Sequence, residues 1–129
     1  MADSFDVLDI VFKAAEKANT GLVQYKNKSK TAEKQNHIVV AMPPLEGKDY
    51  VNKVPFLNVN VFVKNLENGM VDNQTMKEAI RALVLCLNNI EHPIGMYFKC
   101  KIVWVQSMGE YKEGFECMNI RLEVITEIN

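Results

Sequence analysis

"FLNVNVFVKN", residues 56–65, sets Leu57, Val59, Val61 and Val63 against Asn58, Asn60 and Lys64, with Phe62 interrupting the polar row. Period-two alternation rich in β-branched residues predicts a strand with one buried face, running from Val54 to Lys64. Pro55 near its start points to an edge or a bulge at that end. The polar row is unusual, because asparagine is depleted in strands. What Asn58 and Asn60 look at is therefore the first question this chain raises.

On the N-terminal side, "HIVVAM" (His37 to Met42) is a compact β-branched strand stopped by Pro43-Pro44, since proline cannot donate to a ladder. Leu22 to Lys26 alternates weakly and predicts a shorter strand. Between them, the loop from Lys26 to Asn36 carries Lys26, Lys28, Lys30 and Lys34 against the single acid Glu33. The first segment has the marks of a helix over residues 5–19. Ser4 is the N-cap candidate, Asp6 and Asp9 lie in the first turns, Lys13 and Lys17 in the last, and Gly21 stands just past the end. Phe5, Leu8, Phe12 and Ala15 form its apolar stripe, widened by Val11 and Ala18.

On the C-terminal side, Asn68-Gly69 is a turn signal. A second helix is expected over residues 73–91, starting near Asp72 or Asn73 and ended by His92-Pro93 and Gly95. Its apolar face is Met76, Ile80, Leu83, Val84, Leu87 and Ile90. The last third predicts a hairpin of two strands of about ten residues. In the first, Met96, Phe98, Cys100, Ile102 and Trp104 point one way and Tyr97, Lys99 and Lys101 the other. "GEYKEG" turns the chain. In the second, Met118, Ile120, Leu122 and Val124 are the buried row, and Asn119, Arg121 and Glu123 the exposed one.

The predicted order is α-β-β-β-α-β-β within one domain, residues 1–129. Each strand has one apolar row and each helix one apolar stripe. These fit an α+β fold: a single, mostly antiparallel sheet of about five strands with two helices packed on one face.

Composition narrows the function classes. The chain has 129 residues, 48% of them hydrophobic, and a formal net charge of −1. A charge-driven nucleic-acid binder would carry a basic excess. No apolar run reaches the length of a bilayer span, so no membrane role is expected. The N-terminus has acidic residues where a secretory signal would be basic, and is read as retained and structural. Three cysteines without C-x-x-C spacing suit a reducing compartment rather than a disulfide framework or a zinc site.

Catalytic signatures are missing. Ser4, Ser29 and Ser107 lie in no nucleophile context. Cys86 and Cys100 read as inert core thiols, and Cys117 as facing the opposite side of the sheet from Cys100. His37 and His92 lie at ligand spacing with nothing else, so no metal is expected. No phosphate-binding or dinucleotide motif is present, so no cofactor is expected. The lysine loop is the candidate for electrostatic contact, with a solvated loop as the simpler account. The expectation is a protein that is not an enzyme.

Several stretches together resemble the tail-completion and head–tail connector proteins of tailed bacteriophages, especially those of Bacteroides phages and prophages. These are "GLVQYK…AEKQNHIVVAMPPL", "VPFLNVNVFVKNLENGMVDNQTMKEAIRAL", "MYFKCKIVWVQS" and "CMNIRLEVI". The resemblance rests on the N-V-N-V-F-V strand at Asn58 to Val63 and on N-I-R at Asn119 to Arg121. It implies a virion protein, assembled in the host cytoplasm, that forms a homo-oligomeric ring at the neck or tail end. Six-fold symmetry is expected of a terminator and twelve-fold of a connector. The implied partners are its own copies, other neck, portal or tail proteins, and DNA passing through the lumen without sequence-specific binding. The uncovered sheet face would then meet neighbours through Asn58, Asn60, Tyr97, Lys99, Lys101, Asn119, Arg121 and Glu123. Two exposed asparagines near a sheet edge are the plainer reading of the same residues. A non-viral adaptor module, or a small enzyme with a site assembled from scattered residues, are the competing classes.

Overall fold

In the computed structural model, which describes residues 4–42, 56–90 and 98–126, the alternating stretch forms the middle strand of the sheet. The elements are α1 (Ser4–Glu16), β1 (Val23–Lys26), β2 (His37–Ala41), β3 (Phe56–Lys64), α2 (Asn73–Leu87), β4 (Phe98–Lys112) and β5 (Phe115–Thr126). The sheet order is β1-β2-β3-β5-β4; only the β1–β2 pair is parallel. The expected α+β architecture and element order are what the chain adopts.

Leu57, Val59, Val61 and Val63 are fully buried and meet Ile38 and Val40 of β2 and Ile120, Leu122 and Val124 of β5 on the same face. Both helices close over this face, through Val7, Val11 and Ala15 of α1 and Met76, Leu83 and Leu87 of α2. Burying a leucine or valine here contributes roughly 1.5–3 kcal/mol each, so this one layer holds the fold together. The stripe on α1 is rotated from the expected one: Val7 and Ala14 join it, and Phe12 lies at its margin.

The helix ends are set by caps. Asp72 accepts from the Thr75 amide at 3.2 Å and from the Thr75 hydroxyl at 2.8 Å, satisfying a free donor of the first turn of α2. That helix ends at Leu87, short of residue 91, with the Asn88 amide donating to the Val84 carbonyl. Ser4, expected as a cap, is itself the first residue of α1. That helix stops at Glu16, short of residue 19, and Asn19 takes the left-handed conformation two residues before Gly21 does. Pro43-Pro44, Pro55, His92, Pro93 and Gly95 lie outside the described residues.

The hairpin departs most from expectation. β4 spans 15 residues and β5 12, so most of "GEYKEG" is strand and the turn is only Glu113 and Gly114. Gly114 has φ +81°, a conformation glycine adopts without strain. β4 also carries register shifts between Ile102 and Trp104 and between Ser107 and Gly109. Ile102 pairs with Leu122 on the helix side, but Trp104 pairs with Arg121 on the other. One extra residue, Val103, turns Trp104 to Ser107 over, until the shift between Ser107 and Gly109 reverses it, because side chains alternate strictly along a strand. Trp104 therefore does not continue the row of Cys100 and Ile102.

Candidate functional site

The side of the sheet away from the helices has two parts. Around His37, a small apolar cluster of Val39, Phe62, Phe115 and Cys117 accounts for the phenylalanine that breaks the polar row of β3. The His37 ring stacks on Phe62 with centroids 4.7 Å apart, and meets Phe115 edge-on at 5.4 Å. Its Nδ1 lies 2.8 Å from the Gln35 carbonyl, which can only accept, so Nδ1 carries the proton. Its Nε2 then accepts from the Lys112 ammonium at 3.5 Å. Burial holds His37 below its ordinary value and keeps the ring neutral, with the nearby Lys112 charge acting in the same direction.

Beside this cluster lies a polar row. Asn60 pairs with Asn119, and Asn58 with Arg121, across β3 and β5. The Asn119 amide donates to Asn60 Oδ1 at 2.7 Å and to Asn58 Oδ1 at 3.2 Å. Trp104 Nε1 donates to Asn119 Oδ1 at 2.6 Å. The Arg121 guanidinium sits between two rings, 4.8 Å from the Phe56 centroid and 5.0 Å from that of Trp104. The row floors an open depression of about 360 Å³ whose far wall is Met108 and Tyr111. A second depression of about 470 Å³ shares Asn60 and Tyr111 with it and continues past Phe62 to Lys28 and Lys112. The two make one trough with a cation at each end.

The residues expected at an interface separate into groups. Asn58, Asn60, Asn119 and Arg121 come together as the floor. Asn119, expected to be exposed, is only 6% exposed, because Trp104 covers it. Neither central asparagine stands at a sheet edge, since β3 has a partner on both sides. Lys101 and Glu123 face each other across β4 and β5 beyond Arg121, and Lys99 is exposed one step further on. Tyr97 lies outside the described residues.

The four lysines of the loop lie in different surroundings. Lys26 forms an ion pair with Asp9 and lies over the Phe12 ring at 5.1 Å, which fastens β1 to α1. The Lys26 hydrogen bond holds the Asp9 carboxyl below its ordinary value. Lys28 reaches the trough, while Lys30 and Lys34 are exposed. Glu33 is turned inward, where it accepts from the Tyr25 hydroxyl and, at 2.9 Å, from the Gln35 amide. Those bonds, Tyr25's first, lower its pKa, so the loop's acid serves to shape the loop. Residues 27–36 carry the chain back so that β2 can run parallel to β1.

Trp104, Met108, Tyr111 and Lys112 belong to this face and were not expected there. The isolated Gly109 inside a strand pattern was the available sign of a bulge. Cys117 faces the trough side and Cys100 the helix side, as expected; burial pushes their thiols up to about 12 and about 11. Among the described residues, no three His, Cys, Asp or Glu side chains gather as a metal-ligand group. No helix among them is long and apolar enough to cross a membrane. No protein-family model matches the chain, and neither does any curated protein.

Proposed function

We propose that this protein is a structural subunit of a tailed-bacteriophage virion, assembling with its own copies into a six- or twelve-fold ring at the neck or tail end. The ring would join head to tail or end the tail tube, and leave a channel for DNA. The virion reading rests on the resemblance of the Asn58 to Val63 strand and the Asn119 to Arg121 segment; self-assembly rests on the outer margin of β4, which pairs with no further strand among the described residues.

That margin is the observation that carries the reading. β4 is 15 residues long, ends the sheet, and runs from Val103 to Met108 with no charged residue. Val103, Trp104, Val105 and Met108 are each about two-fifths exposed or more. An edge stretch without charge or proline is a template for strand addition, and Lys99, Lys101, Glu110, Lys112 and the register shifts of β4 confine that template to residues 103–108. The opposite margin, β1, is only four residues long. Two unlike margins suit the head-to-tail contacts that close a ring rather than a two-fold pair.

Native mass spectrometry of the wild-type protein and of Val105→Lys is the test. Expected are a closed ring of one copy number for the wild type, and monomers for the variant with an unchanged thermal melt. Electron micrographs of virions lacking the protein then separate the roles: tailless filled heads mark a connector, overlong tails a terminator. A wild-type monomer at every concentration removes the ring. Open, ill-defined oligomers would favour the non-viral adaptor instead.

A further inference from the structure

We propose that the trough on the helix-free face is a receptor for a carboxylate, held by the Arg121 guanidinium and the side-chain amides of Asn58 and Asn60. This inference stands apart from the ring reading.

The polarity of the site follows from one atom. An indole N–H can only donate, so the Asn119 atom 2.6 Å from Trp104 Nε1 is the oxygen. Asn119 therefore turns its nitrogen to Asn58 and Asn60, and both must meet it with their oxygens. All three carboxamide oxygens are engaged within the row. The amide nitrogens of Asn58 and Asn60 meet no acceptor among the described residues, and both side chains line the trough. What the row offers a ligand is donors.

Arg121 adds charge to those donors. It is the residue directly opposite Asn58, so guanidinium and amide form one cross-strand pair. Its Nε is buried and makes no hydrogen bond, and no described carboxylate lies within ion-pair distance of its guanidinium. A buried N–H left unpaired is costly, and the rings of Phe56 and Trp104, each 41% exposed, flank the guanidinium and hold it in place. A ligand here must bring acceptors only. Sugars and bases bring donors that would face donors, and a metal ion would meet a cation. A planar guanidinium fork matches the oxygens of a carboxylate or of a phosphate, and one guanidinium balances the single charge of a carboxylate better than the higher charge of a phosphate. That is a carboxylate, either free or on an acidic side chain of a second copy.

Trp104 is the only tryptophan in the chain, so its fluorescence reads this site alone. The experiment titrates the full-length protein with sodium acetate, with chloride and phosphate as controls at matched ionic strength. A parallel dilution series contains no acetate. We expect a saturable response to acetate that is weaker by about tenfold or more in Arg121→Gln, the loss of a charge-assisted hydrogen bond. Asn58→Asp supplies a carboxylate of its own opposite Arg121, and should melt higher than wild type and no longer respond. A concentration-dependent signal that Arg121→Gln removes would identify a second copy as the source of the carboxylate. The proposal is overturned if neither series responds, if Arg121→Gln responds like wild type, if phosphate or chloride acts as well as acetate, or if Asn58→Asp melts lower. A ring that assembles with a silent Trp104 leaves the ring and removes the receptor; a monomer that binds acetate does the reverse.

Discussion

Trp104 Nε1 donates to Asn119 Oδ1 across the β4–β5 hairpin, and the same Asn119 side chain donates to both Asn58 and Asn60. One buried carboxamide thus links three strands on the face that the helices leave bare. Hydrogen bonds in such a chain depend on one another, because losing the middle member leaves donors and acceptors unpaired on both sides.

Asn119→Leu should destabilise the protein by about 1–3 kcal/mol, the cost of leaving buried polar partners unmade. Asn58→Ala should cost less, since Asn58 is half-buried and Asn119 keeps its bonds to Trp104 and Asn60. Urea titrations of the two variants measure the difference. Equal losses would mean that Asn119 is not the centre of the row.

The neutral, buried His37 predicts a pH dependence of definite sign. Its folded-state pKa lies below the ordinary 6.5, so the unfolded chain takes up a proton at higher pH than the native one. Stability is complete above about 6.5 and falls as the pH drops from there toward the lowered native value. Protonation would also place two cations together at Lys112 Nζ. In His37→Phe, which keeps a ring against Phe62, melts recorded from pH 7.5 to 5 should lose most of this slope.

The three thiols should react in a set order. Cys100 and Cys117 are held as thiols by burial, with pKa values near 11 and 12, and the thiolate is the reactive form. Cys86 on α2 is half-buried, as Cys100 is, so the raised pKa of the Cys100 thiol is what separates those two. Iodoacetamide at pH 8 should therefore modify Cys86 first in the native protein, with Cys100 and Cys117 reacting only on unfolding. Peptide mapping of the adducts checks this.

Two leucines two residues apart, and so on opposite sides of the helix, test the packing on α2. Leu83→Ala removes a fully buried side chain from the main core and should cost about 2–5 kcal/mol. Leu85, 67% exposed, should tolerate alanine within about 0.5 kcal/mol. Thermal melts of the two variants give the contrast.

Much of the architecture was legible in the chain itself, because a period of two or of 3.6 residues is a local property. The valine row of β3, the stripe of α2 and the β5 row from Met118 to Val124 each identified the face to be buried. Element ends were less visible. Whether α1 stops at Glu16 or Asn19 depends on a backbone turn that competes closely with one more helical turn.

The site was legible only in part. Asn58, Asn60, Asn119 and Arg121 stood out as a polar row, but the alternation could not show that Trp104 lies over them. The bulge at Val103 exchanges the two faces for Trp104 to Ser107, until a second register shift reverses it, and both are features of the pairing of β4 with β5 rather than of the local pattern. The lysines of residues 26–34 likewise look alike in sequence. Asp9, arriving from another element, takes Lys26 away, while the course of the loop delivers Lys28 to the trough. Periodicity along the chain settled which side of each strand is apolar. Only the pairing of strands distant in sequence decided which polar groups meet, since hydrogen bonds and charges act over a few ångströms of space rather than a few residues of chain.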